Sequence, residues 1–285
     1  MAVSEWMVLV VAGVFGALFG SFLNVVIHRL PERKSIVWPG SACPACNHDI
    51  RWYDNLPILS WLILRGKCRD CSAPISPRYI LVELLTAVLT VFVVARYTGE
   101  PEGLRLGLLV VSLIVLYALI PVSFIDLALR IIPDRITKPG MVLAPILSVI
   151  VPELHALSPL TGALGLASRP RVEALLISLM GIAAGAGAIW FMGALGKLLF
   201  KKDSMGLGDV KLMGFLGGIL GPVGVLMAIL IGCVGGSVIG LLSYAFTRSH
   251  YIPFGPFLSL GAVTTLFFRP ELVHFFTVTY PGLFG

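Results

Sequence analysis

The chain has 285 residues, of which 57% are apolar and only 13% charged, with a mean hydropathy of +0.95. That composition excludes an ordinary soluble domain and a disordered chain, and reads as an integral membrane protein. The net charge of +6 does not point to nucleic acid, because the basic residues follow membrane topology rather than one patch with interleaved aromatics.

A bilayer core of about 30 Å needs roughly 20 mostly apolar residues in a helix. Apolar stretches of this kind lie near 6–28, 79–98, 104–125, 139–155, 173–196, 207–221, 223–246 and 254–270. The expected fold is therefore all-α and polytopic, with about eight transmembrane helices. The fourth, sixth and eighth stretches are short or interrupted by Gly and Pro, which leaves seven or eight crossings and allows re-entrant segments. The opening stretch lacks the basic n-region and small-residue cleavage site of a removable signal peptide. Most Lys and Arg fall in the loops after the first, third, fifth and seventh stretches, among them Arg29, Arg33, Lys34, Arg65, Lys67, Arg130, Arg135, Lys201, Lys202 and Arg248. The positive-inside rule makes those loops cytoplasmic and puts both termini on the periplasmic side.

After the first helix, 1–28, the one polar stretch long enough to fold outside the membrane is 29–78, and it holds four of the five cysteines. Cys43-Pro-Ala-Cys46 and Cys68-Arg-Asp-Cys71 are two CxxC turns separated by 21 residues, the spacing of a four-cysteine zinc site. Two such turns close a tetrahedral shell with no open position, so the Zn2+ would be structural. A pair of disulfides or redox motifs is the competing reading, and a reducing cytoplasm disfavours it. Metal binding would also supply folding free energy that so small a segment cannot draw from burial. Cys233, alone in a Gly-rich apolar stretch, reads as a packing residue. Trp6, Trp38, Trp52 and Trp61 read as interfacial anchors.

The remaining region, 79–285, contains the charged residues most costly to keep in a membrane. Intramembrane carboxylates are functional candidates by default. Asp126 ends the third stretch, and Asp209 opens the sixth after Met205-Gly206-Leu207-Gly208; both fall on the cytoplasmic side by the charge topology. Two carboxylates close together in a low-dielectric site share a proton, which suits one to activate water and the other to hydrogen-bond a peptide carbonyl. Gly206 and Gly208 would let a substrate strand approach the backbone. The plain structural alternative for Asp209 is a helix cap, with its charge paired to Lys211. Asp134 rivals Asp126, eight residues on and about 12 Å along a helix, so both cannot touch Asp209 equally. Pattern alone favours Asp126 for its apolar setting and pairs Asp134 with Arg130 or Arg135. A proton or cation relay in a transporter or channel would use the same two intramembrane aspartates. His28, His48, His155, His250 and His274 show no metal-ligand spacing.

Taken together, several segments resemble the bifunctional type 4 prepilin peptidases, which are GxGD aspartyl proteases of type IV pilus and type II secretion systems. These are Gly20-Ser21-Phe22-Leu23-Asn24-Val25-Val26, the CxxC pair flanking Trp52 to Trp61, Arg78-Tyr79 with Glu83, Asp126 with Ile132-Pro133-Asp134, and Met205 to Leu212. The resemblance implies that Asp126 and Asp209 are the catalytic pair and that Asp134 marks the following turn. It implies cleavage of prepilin or pseudopilin leaders after a Gly at the cytoplasmic face of a bacterial inner membrane. It further implies N-methylation of the new amine with S-adenosylmethionine, associated with the cysteine domain. Asn24, Arg29, Arg78 and Glu83 border that domain, without individual roles. Expected partners are precursor proteins and membrane lipid, with no nucleic acid.

Overall fold

The computed structural model describes residues 3–98, 105–201, 205–247 and 253–274. Lys202, Arg248 and His250, used above for topology or metal spacing, lie outside the described residues. The regular secondary structure of the described chain is helical, with two isolated β-bridges and no longer strand among those residues. Five helices are long and apolar enough to cross a membrane, and the four cysteines fall between the first two of them. The chain divides into two compact units, 1–121 and 122–285.

The first unit is built on α1 (Val3–Arg29), α3 (Arg78–Thr98) and most of α4 (Leu106–Leu129), with the short α2 (Leu59–Ile63) in the polar segment between α1 and α3. Small residues bring α1 and α3 close together. A Cβ on Gly16 would lie 2.8 Å from the Ala87 backbone, and one on Gly20 would lie 2.8 Å from the Cα of Glu83. Between lipid-facing helices, such close approach replaces the hydrophobic drive that water would provide. Polar side chains add further ties. Asn24 Nδ2 donates to the Tyr79 carbonyl at 3.0 Å, Thr90 Oγ1 meets the Tyr117 hydroxyl at 2.9 Å, and the Tyr117 ring stacks on Phe19 at 4.3 Å.

The second unit holds the end of α4, then α5 (Asp134–Ile150), α6 (Pro170–Phe200), α7 (Leu207–Thr247), α8 (Gly255–Phe267) and α9 (Arg269–His274). A straight 41-residue α7 would run about 60 Å, twice a bilayer core. It is not straight, because Gly221 breaks it with φ 72 and ψ 174. Contacts with α6 give the sense of the break. Gly181 faces both Gly217 and Gly221, while one turn on, Gly185 faces both Met213 and Val225. One half of α7 therefore descends along α6 and the other ascends, so the chain reverses at Gly221-Pro222. This matches the sequence break between 207–221 and 223–246. Gly214 and Gly218 seat against Met141 and Ala144 of α5, and Gly261 of α8 seats against Ala228 of the returning half. Ser148 and Ser178 both donate to the Gly218 carbonyl, at 3.3 and 2.8 Å.

The helix boundaries shift the sequence reading in two places. The third helix runs to Leu129, so Asp126 lies one turn inside it rather than at its end. The fourth starts at Asp134 and not near 139, because Pro133 occupies its N-cap and ends the irregular link instead of breaking a helix. It is 17 residues long and α8 is 13, both below the length of the five long helices.

Candidate functional site

The thiol cluster is assembled from two copies of one local turn. In the first, Cys43 N–H donates to the His48 carbonyl and Asn47 N–H to the Cys43 carbonyl; in the second, Cys68 N–H donates to Ala73 and Ser72 N–H to Cys68. Asn47 and Ser72 each adopt a left-handed φ, 55 and 58, which turns the chain back after the second cysteine. The bridges Ala42 to Asp49 and Lys67 to Pro74 close the two turns. All four sulfurs lie within 4.8 Å of one another, and Cys43 and Cys71 are 3.8 Å apart. A tetrahedron of thiolates at ~2.3 Å from zinc separates sulfurs by about 3.8 Å, so the donor set fits that ion. Backbone N–H groups of Cys46 and Ala45 push the Cys43 thiol down to about 6, which readies it as a thiolate ligand.

The turns are held to their surroundings by charge. Arg69 of the second turn makes three contacts to Asp54, the shortest 2.6 Å, and its guanidinium lies 5.6 Å over the Tyr53 ring. Hydrogen bonding from Arg69 holds the Asp54 carboxyl below its ordinary value. Trp61 Nε1 donates to the Ile75 carbonyl at 3.3 Å, and its ring packs on Gly66. Trp38 and Trp52 are exposed. Cys233 lies half-buried in the returning half of α7 and is not one of the four clustered cysteines.

In the second unit, Asp126 is buried near the end of α4, 6% exposed, and accepts the Gly255 N–H at 2.8 Å. Gly255 opens α8, and a Cβ there would lie 2.7 Å from Asp126 Oδ2, so the carboxylate occupies the space a side chain would need. Asp209 sits in the first turn of α7, where its Oδ2 accepts the Gly206 N–H at 3.3 Å. The helix-capping role weighed from sequence is thus present, and it uses one carboxylate oxygen. Asp126 and Asp209 are close enough to interact electrostatically.

Asp134 is arranged differently. Lys211 Nζ contacts both of its oxygens, at 2.7 and 2.9 Å, and Lys138 reaches it at 2.8 Å. Lys211, weighed from sequence as a partner for Asp209, thus contacts Asp134, and Lys138 is a second partner of that carboxylate. The glycines of the motif also do something the sequence did not indicate. A Cβ on Gly208 would lie 2.9 Å from the Ile132 Cβ, so that glycine admits the chain's own α4 to α5 link beside Asp209. Gly255 was missed altogether.

A helical membrane protein with two interacting carboxylates where α4 ends and α7 begins, and a separate four-thiol cluster, has the parts of a membrane-embedded aspartyl protease carrying a metal-binding module. Comparison with known proteins makes this specific. Residues 14–97 match the Bacterial Peptidase A24 N-terminal domain and residues 109–241 match the Type IV leader peptidase family. The prepilin leader peptidase/N-methyltransferase of Aeromonas salmonicida is 34% identical over 96% of this chain and 95% of its own length. The enzymes of that name from Xanthomonas campestris pv. campestris and Myxococcus xanthus are 36% and 38% identical, over 90% and 80% of this chain and 90% and 61% of their own lengths. No solved structure matches. The chain belongs to the type IV leader peptidase family.

Proposed function

We propose that this chain is a membrane-embedded aspartyl endopeptidase that removes the leader peptides of type IV prepilins or pseudopilins on the cytoplasmic side, then N-methylates the new terminus. What carries the protease assignment is that Asp126, near the end of α4, and Asp209, in the first turn of α7, lie 83 residues apart in the sequence yet close enough to interact electrostatically. One member of the pair takes a proton from the attacking water while the other, protonated, hydrogen-bonds the peptide carbonyl as charge develops on its oxygen. When the amine departs, the roles exchange. The Gly255 N–H fixes the orientation of Asp126, and the Gly206 N–H that of Asp209.

The four cysteines hold a structural Zn2+, as their tetrahedral spacing supports. S-adenosylmethionine supplies the methyl group from its sulfonium. The membrane is a bacterial inner membrane, crossed by about eight segments with both termini periplasmic. The reversal of α7 at Gly221 favours counting that helix twice. Residues 1–28 form the first crossing, 29–78 the cysteine domain and 79–285 the protease domain.

Co-expression with a candidate prepilin tests the pair directly. Asp126→Asn and Asp209→Asn should each lower leader cleavage by about 10²–10⁴-fold, the scale of a lost acid–base group, while bound zinc stays stoichiometric. Cleavage continuing at the normal rate in either variant would sink the assignment.

A further inference from the structure

The first unit contains a buried carboxylate that proteolysis does not use. Glu83 lies on α3, is 8% exposed, and accepts the Ile58 N–H at 2.7 Å. Ile58 is held at φ 63 and ψ −52, the centre of a γ-turn closed by Leu59 N–H to the Pro57 carbonyl at 2.6 Å. That conformation is rare for any residue and worse for a β-branched one, and strain of this kind collects at functional sites. Facing Glu83 on α1 are Ser21, near enough to act on its carboxyl, and Gly20, packed on the Cα of Glu83. One turn on, Asn24 is 2% exposed; its Nδ2 is used on Tyr79 and its Oδ1 is buried with no partner. Among the described residues Glu83 has no ion pair, and the Arg78 guanidinium lies over the Tyr79 ring instead.

A buried carboxylate on α3 and an orphaned amide oxygen on the facing α1, one turn from the glycine that packs on Glu83, are both acceptors. Their complement is a cation with several N–H donors, and a primary ammonium has three. We propose that Glu83, with Asn24 and Ser21, forms the site that receives the newly exposed α-amine and takes its proton before methyl transfer, an inference that rests on the methyltransferase reading above. An ammonium has no lone pair, so one N–H proton passes first to the Glu83 carboxylate. The freed lone pair then attacks the methyl carbon of the sulfonium donor; the C–N bond forms, the C–S bond breaks, and the thioether leaves neutral. The product is a secondary ammonium, and Glu83 returns its proton to solvent. Glu83 lies five residues inside the start of α3, about 7.5 Å along the axis, where an amine has lost part of its water and the neutral nucleophile is easier to form.

Glu83→Gln separates this role from a purely structural one, because the amide oxygen still accepts the Ile58 N–H but cannot take the proton. With a co-expressed prepilin, cleavage and bound zinc should stay within about twofold of the unaltered enzyme, while N-methylation, read from the mass of the mature terminus, falls on the order of a hundredfold. Glu83→Asp, which keeps the carboxylate, should recover part of the methylation. Methylation by Glu83→Gln within threefold of normal overturns the proposal. So does loss of cleavage, zinc and methylation together in both variants, which makes the carboxylate a structural tie. An unaltered enzyme that cuts but never methylates removes the underlying reading, and the amine site with it.

Discussion

At the scale of single residues, the contrast between Asp126 and Asp134 turns on what holds each carboxylate. Lys138 and, after it, Lys211 keep the Asp134 carboxyl below its ordinary value. A depressed carboxylate contributes its ion pair fully above the unfolded value and loses it only as pH falls through the folded one. Asp134 therefore stays charged throughout the neutral range and cannot supply an acid limb there. Asp134→Asn should leave the acid limb of the cleavage profile at the same pH. Its rate should fall by well under the hundredfold expected of a catalytic carboxylate, through loss of the Lys211 anchor two residues from Asp209. An acid limb displaced by a whole unit would instead make Asp134 one of the titrating pair.

The same residues show what was legible beforehand. Apolar setting favoured Asp126, and family resemblance chose it, but its partner Gly255 lies 129 residues away and reads in the sequence only as a helix start before Pro256. Nothing in a start signal says which distant side chain it will face. The pairing of Lys211 across to Asp134 was hidden for the same reason, whereas the two CxxC turns were legible because each is local and their spacing already describes the ligand shell.

At the scale of elements, the reversal in α7 depends on one backbone position. The φ 72 and ψ 174 of Gly221 fall in a region essentially reserved for glycine, and a Cβ there would lie 3.1 Å from Ile177 and 3.4 Å from the His155 ring. His155 is itself buried and tied to Ser148 at 3.0 Å, so it has little room to yield. Gly221→Ala should cost about 1–3 kcal/mol from backbone strain alone. The measurable result is earlier thermal unfolding in detergent and reduced cleavage, whereas an unchanged transition would mean the turn tolerates another geometry. The break was visible in the sequence as Gly-Pro between two apolar stretches. Its character was not, since a kink and a full reversal leave the same punctuation, and only the paired contacts of Gly181 and Gly185 distinguish them. The start of α5 was misplaced because Pro133 falls at its N-cap, where the missing N–H costs no hydrogen bond that the helix would otherwise make.

At the scale of the whole molecule, the thiol cluster and Glu83 belong to the first unit and the two aspartates to the second, so the two chemistries depend on different supports. The polar segment of the first unit has little core of its own. Val37, Trp38, Trp52 and Ile63 are all more than 70% exposed, and its buried side chains are few. Structural zinc contributes about 10–16 kcal/mol of apparent binding free energy in small domains, far beyond what so few buried groups can supply. The second unit is packed through glycine contacts among α5, α6, α7 and α8. Stripping the metal with a thiol-competing chelator should therefore expose 30–77 to proteolysis and abolish N-methylation, with leader cleavage retained to within a few-fold. Loss of cleavage in step with the metal would show that the protease also relies on the cysteine module. Restoring zinc should return methylation only if the Cys-x-x-Cys turns can re-form, and because each turn is closed by its own backbone hydrogen bonds and one β-bridge, the ion has two preformed halves to bring together.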